Sequence, residues 1–293
     1  MPPSNHVAVG GESSKELSGL AGEAQVIDFQ PSRESLRPPL YPNRHEADTG
    51  YITTALLLAA GGGRRLGKGS PKCLTDVSGV PILGRLVSSL VEQGFQRLVV
   101  VLGYRGRQIR DYLDLHSSGL EIQYIESVHY ATTNNIYSLW LAREHMEEPF
   151  VLIESDLVFD SRLLGLMRTP NRIAVAKLAS HMRGSTVSTD QDGLVDSFRV
   201  GESDGPRLPN KTINMYSLSM PIWHEISRRL DLRIAAGRVH DYYESVFAEM
   251  TSDRLLRLEA TWFDDGRWTE IDTPDDLLAA HGLFDDPIWT KGA

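Results

Sequence analysis

The chain has 293 residues, 41% of them hydrophobic and 24% charged, with a formal net charge of −9 and one cysteine, Cys73. This balance is that of a globular protein with ample core, and the acidic charge argues against a nucleic-acid partner, which needs basic surface. A lone cysteine allows no intramolecular disulfide and no thiolate cluster, and no apolar run approaches the ~20 residues of a membrane span. With no basic-then-apolar order in "MPPSNHVAVGGESSKEL", these features lead us to expect a cytoplasmic protein without a membrane partner.

Residues 1–50 are rich in Pro, Ser, Gly and charge and read as a flexible N-terminal extension, with one short ordered piece around "AQVIDF". Residues 51–293 read as one folded domain. "ITTALLLA" predicts a buried strand, "PILGRLVSSLVEQG" a helix between Pro and Gly, "RLVVVLG" a second strand and "RGRQIRDYLDLH" a second helix. "LEIQYIE", "NIYSLWLAREHM" and "FVLIESD" continue as strand, helix and strand. Such alternation predicts an α/β fold built on a mainly parallel sheet flanked by helices. Beyond about Leu166 the pattern turns β-rich: "RIAVAKLAS", "GLVDSFRV", "KTINMYSLS" and "RLLRLEA" read as strands, with "QDG" as a turn. "PIWHEISRRLDLRIAAG", "DYYESVFAEM" and "TPDDLLAAHGLF" read as helices.

The first strand runs into "LAAGGGRRLGKGSPK", residues 58–72, a glycine loop with four basic side chains. Ligands of open α/β sheets bind beyond the carboxyl ends of strands, where this loop falls. A dinucleotide fingerprint from Gly61 fails at Leu66. A Walker A loop from Gly62 through Gly67 and Lys68 fails at Gly69, where a hydroxyl is required. The order Leu58, Ala59, Ala60, Gly61, Gly62, Gly63, Arg65, then Pro71 and Lys72, resembles the loop of nucleotidyltransferases that activate sugars and small phosphorylated alcohols. Small residues there let backbone amides approach a nucleotide, and Arg65 and Lys72 are placed to neutralise departing pyrophosphate.

Triphosphate chemistry needs a divalent metal, so acids should stand at the ends of other strands. "FVLIESD" supplies Glu154 and Asp156, and "WTEIDTPDDL" supplies Glu270 and Asp272 on alternate positions. Asp156 and Asp272 could each instead cap a following helix.

Four later motifs, "VVVLGYRGRQI", "TTNNIYSLWLA", "RVHDYYESV" and "TEIDTPDDL", extend the resemblance over residues 51–283. Together they are similar to the bacterial CTP:phosphocholine cytidylyltransferases and the related aminoethyl- and hydroxyethylphosphonate cytidylyltransferases. The resemblance implies a Rossmann-like nucleotidyltransferase fold and a catalytic domain over 51–293. It also implies a Mg2+-dependent transfer of CMP from CTP to a small phosphonate or phosphate monoester, with release of pyrophosphate. Arg65, Lys72, Asp156 and Asp272 would carry catalysis, and Asp156, Glu270 and Asp272 the metal. Tyr104 joins the loop as a nucleotide contact; Asn134, Asn135, Tyr137, Lys211, Tyr242 and Tyr243 would face the acceptor.

Two departures stand out. The usual D-x-D is Glu154-Ser155-Asp156, and an aromatic position often held by Trp is Tyr243. Lys211 is equally readable as a solvated loop lysine; His129 and Trp140 read as packing rather than ligands, and Cys73 as buried. A sugar-1-phosphate nucleotidyltransferase using UTP, TTP or GTP, and an inactive nucleotide-binding regulator, are the competing readings. The oligomeric state stays open, with a homodimer among the options.

Overall fold

The computed structural model describes residues 50–63, 69–201, 207–264 and 266–285. The extension read over residues 1–50 lies outside them apart from Gly50, and so do Arg65, Leu66, Gly67 and Lys68.

Four parallel strands form one side of a nine-stranded sheet. Thr54–Ala59 lies between Arg97–Leu102 and Phe150–Glu154, and Glu121–Glu126 adds on beyond Arg97–Leu102. Every residue of Thr54–Ala59 is buried, which is why the run is apolar rather than alternating. Helices Ile82–Glu92, Gly106–His116 and Asn135–Ala142 make the connections. The first starts directly after Pro81 and stops at Gly94, whose φ of +72° closes the helix in a left-handed turn. The third is four residues shorter than "NIYSLWLAREHM" suggests, ending at Ala142.

Beyond the parallel part the sheet becomes antiparallel. Asn210–Leu218 pairs along one edge with Phe150–Glu154 and Thr186–Thr189, and along the other with Arg172–Lys177. Val195–Arg199 forms a hairpin with Thr186–Thr189 around the Gln191–Gly193 turn, where Gly193 has φ +80°. The stretch "RLLRLEA" is mostly not strand. Pairing with Arg172–Lys177 begins only at Glu259, because Arg254 is left-handed at φ +61° and residues 255–258 have no ladder partner. Leu256 and Leu258 are nevertheless buried, so the alternation marked packing rather than pairing.

One small ribbon decides the geometry of the site. Leu157–Phe159 pairs antiparallel with Trp268–Glu270, and the Ile271 amide then donates to the Asp156 carbonyl at 3.0 Å. A small apolar cluster of Val77, Ile82, Val158, Ile271, Ala280 and Phe284 fixes the ribbon and the closing helix Pro274–Leu283 to the domain. The main core lies between the sheet and helices on its face, and takes in Leu57, Val100, Ile153 and Cys73. Burial pushes the Cys73 thiol up to about 12, as a packing role requires. No helix among the described residues is long and apolar enough to cross a membrane.

Candidate active site

The strand order turns about Thr54–Ala59, whose neighbours lead away in opposite directions, so a crevice opens beyond its carboxyl end. A cavity of about 310 Å³ occupies it, lined by Leu58, Ala60, Gly61 and Gly63 from the loop and by Glu154, Ser155 and Asp156 from the adjacent strand end. Gly63 must be glycine on two counts: its φ is +53°, and a Cβ there would lie 3.0 Å from Cβ of Lys72. Gly103 is equally constrained, since a Cβ would come within 2.6 Å of the Ala60 carbonyl. Tyr104 follows it, donates its amide to that same carbonyl at 3.0 Å, and meets Tyr130 edge-on at 6.3 Å.

Lys72 opens a short 3-10 turn after Pro71, and its ammonium spans two acids. Nζ donates to Oδ2 of Asp156 at 2.7 Å and to Oδ1 of Asp272 at 2.6 Å. Burial alone would lower the Lys72 pKa, but the two carboxylates outweigh it and the net shift is upward. Neither acid serves as a helix cap: Thr273 caps Pro274–Leu283 in a reciprocal box with Asp276, and Asp160 caps Ser161–Leu166. The second oxygen of Asp156, Oδ1, is buried without a hydrogen-bond partner.

Glu270, expected as a third metal ligand, is paired otherwise. Its Oε1 accepts from Lys211 Nζ at 2.8 Å and from Asn214 Nδ2 at 3.4 Å. Lys211 is not a solvated loop lysine, because it sits on Asn210–Leu218 at 1% exposure, and a buried ammonium needs the counter-charge that Glu270 provides. Asn214 adopts φ +50° where the strand register shifts between Thr212 and Tyr216, and this bulge turns its amide toward Glu270. Among the described residues no group of three or more His, Cys, Asp or Glu is arranged to hold a metal. Asp156 and Asp272 nevertheless fit a divalent ion whose remaining ligands are water and phosphate oxygens, and the orphaned Asp156 oxygen faces such a need. Lys211, Glu270 and Asp272 line a second cavity of about 530 Å³, so Asp272 belongs to both.

The asparagine pair divides its work. Asn134 caps the Asn135–Ala142 helix through Oδ1 and donates Nδ2 to the His240 carbonyl at 3.2 Å, while still lining the first cavity. Asn135 donates Nδ2 to Glu154 at 3.2 Å and to Glu244 at 3.4 Å, and accepts from the Tyr243 amide at 3.0 Å. Glu244, absent from the expected site, is buried and is joined to it through the lining residue Asn135. Burial first, then Glu244 and Asp156, push Glu154 well above the usual carboxylate range; burial raises Glu244 to about 7. No periodicity distinguishes such a residue from any polar position on a helix.

Two aromatic expectations need correction. Tyr243 does not face the cavity: it is fully buried, packed edge-on against Tyr216 and Phe247. The phenol that lines the cavity is its neighbour Tyr242, 51% exposed. Tyr137 is likewise buried, packed between His129 and Trp140, whose indole donates to Asp231 at 2.8 Å.

A glycine-rich loop at the turning point of the sheet, with a lysine and two acids meeting beside it, is an arrangement suited to binding a phosphate group. Residues 55–186 match the model of the MobA-like NTP transferase domain. It is 32% identical over 252 residues, 80% of this chain, to the CMP-5'-(3-aminopropyl)phosphonate synthase of Streptomyces rubellomurinus, of whose length it spans 39%. It is 27% identical over 213 residues to the UTP--glucose-1-phosphate uridylyltransferase AglF of Haloferax volcanii, covering 64% of this chain and 86% of that one. In fold it is similar to the CTP:phosphocholine cytidylyltransferase of Streptococcus pneumoniae, with a TM-score of 0.69 at 18% identity over 80% of this chain and 99% of the other.

Proposed function

We propose that the protein is a cytidylyltransferase that transfers CMP from CTP to a small phosphonate or phosphate monoester. An acceptor oxygen attacks the α-phosphorus in line, a new P–O bond forms, and the bond to the β-phosphate breaks as pyrophosphate leaves. The attacking oxygen is already ionised near neutral pH, so no general base is required. The observation that carries this reading is the meeting of Lys72, Asp156 and Asp272 beside the glycine loop. Ala60, Gly61 and Gly63 receive the nucleotide, and Lys72, with Arg65, offsets charge on the leaving phosphates. A divalent cation at Asp156 and Asp272, Mg2+ in this reading, supplies further charge neutralisation when bound.

The acceptor end of the same cavity favours a cationic group. Glu154, Asn135 and the exposed ring of Tyr242 offer a carboxyl group, an amide and an aromatic face to an ammonium. The similarity to an aminopropylphosphonate enzyme agrees with this, whereas the similarity to a glucose-1-phosphate enzyme supports a sugar phosphate as the second reading. Pyrophosphate release measured with CTP, UTP, TTP, GTP and ATP against aminoalkylphosphonates, phosphocholine and sugar 1-phosphates separates the two. CTP with a small aminoalkylphosphonate or phosphocholine should be the productive pair. Strict preference for a sugar 1-phosphate would overturn the proposal, and no release with any pair would favour an inactive regulator.

A further inference from the structure

The Lys72 ammonium occupies one oxygen of each carboxylate that the reading above gives to the metal, at 2.7 Å from Asp156 Oδ2 and 2.6 Å from Asp272 Oδ1. A divalent ion binds carboxylate oxygens at about 2.0–2.1 Å if it is magnesium, so it and the ammonium cannot share the same pair. An ion taking only the orphaned Asp156 Oδ1 would face the ammonium at close range, with strong like-charge repulsion in a site where Lys72 is 13% exposed. The same lysine sits beside Gly63, at the mouth of the loop that would receive phosphates.

We propose that Lys72 is a placeholder for the metal. Its ammonium neutralises Asp156 and Asp272 until a triphosphate offers competing oxygens, and only its transfer to those oxygens opens the carboxylates to a divalent ion. One cation thus serves two anions in turn, and metal enters with the nucleotide rather than before it. This is a coupling between two ligands, in which each raises the affinity for the other through the position of one side chain. The inference rests on the assignment of Asp156 and Asp272 to the metal.

The test is uptake of Mn2+ by the full chain, followed by loss of the free-ion EPR signal, with and without CTP. Wild type should take up Mn2+ at this site only when CTP is present. Lys72→Met should bind one Mn2+ without CTP, about tenfold or more tighter than wild type, and a further Asp156→Asn change should abolish that binding. Lys72→Arg, which keeps the charge, should stay silent without CTP. If Lys72→Met does not fold, Lys72→Gln carries the same expectation. Equal Mn2+ binding by wild type and Lys72→Met without CTP would overturn the placeholder role while leaving the metal assignment standing. Absence of nucleotide-free binding in both would also overturn it. Binding that survives Asp156→Asn would instead remove the metal assignment.

Discussion

Lys72 and Asp272 are 200 positions apart in the chain, and their charged atoms lie 2.6 Å apart. Nothing local in either segment demands that contact. It follows from the ribbon between Leu157–Phe159 and Trp268–Glu270, which lays the chain after Glu270 alongside Asp156. The pairing of two three-residue strands therefore assembles the charged centre.

If that centre performs the chemistry, neutralising either acid removes a group that acts on the transition state. Asp156→Asn and Asp272→Asn should each lower kcat by on the order of a thousandfold while leaving the circular dichroism spectrum unchanged. Near-normal turnover of either variant at saturating Mg2+ would remove these residues from the mechanism.

The choice among loop templates makes its own prediction. Lys72→Ala should lower kcat/KM for CTP more than Lys68→Ala, because only Lys72 belongs to the loop pattern that continues without a mismatch. Steady-state kinetics of the two variants decide it. The reverse order would point to the Walker A alternative.

Tyr242 and Tyr243 should separate binding from stability. Tyr242→Ala should raise KM for the acceptor well above any change in KM for CTP, with little change in melting temperature. Tyr243→Ala should cost about 3–5 kcal/mol of stability, since it empties a fully packed aromatic position against Tyr216 and Phe247. Urea unfolding and two-substrate kinetics test both. Equal KM effects on both substrates for Tyr242→Ala would place the acceptor elsewhere.

Glu244 gives a pH dependence with a definite sign. Burial raises its pKa from 4.5 to about 7, with Asn135 and Lys211 acting against the rise and Glu270 adding to it. The folded chain thus holds a proton through a window in which the unfolded chain has released it. That contribution is fully present below about pH 4.5 and is lost as the pH rises to about 7. Glu244→Gln should be stabilised relative to wild type by progressively more over that range, up to a ceiling of about 3 kcal/mol at pH 8. Urea midpoints at pH 5 and pH 8 measure it; a difference that does not change with pH would contradict the burial of this charge.

Much of the fold was legible because parallel strands buried on both faces must be continuous apolar runs, as Thr54–Ala59 and Arg97–Leu102 are. The glycine loop, Lys72 and the acids at the strand ends were readable for a related reason: phosphate chemistry restricts residue types at fixed local spacing. What the sequence by itself determined was therefore the class of fold, the loop and a short set of strand-end acids, Glu154, Asp156, Glu270 and Asp272, from which its companions could come. Tertiary structure alone decided which acids meet. Asp156 and Asp272 converge on Lys72, while Glu270 is drawn to the buried Lys211 and Glu244 reaches Glu154 through Asn135. It also decided that Tyr242 rather than Tyr243 lines the cavity, since adjacent residues of one motif are parted only by the direction in which the core lies. Those outcomes depend on pairings across tens to hundreds of residues, and a charge buried by such a pairing takes its partner from the surrounding packing, which no local pattern encodes.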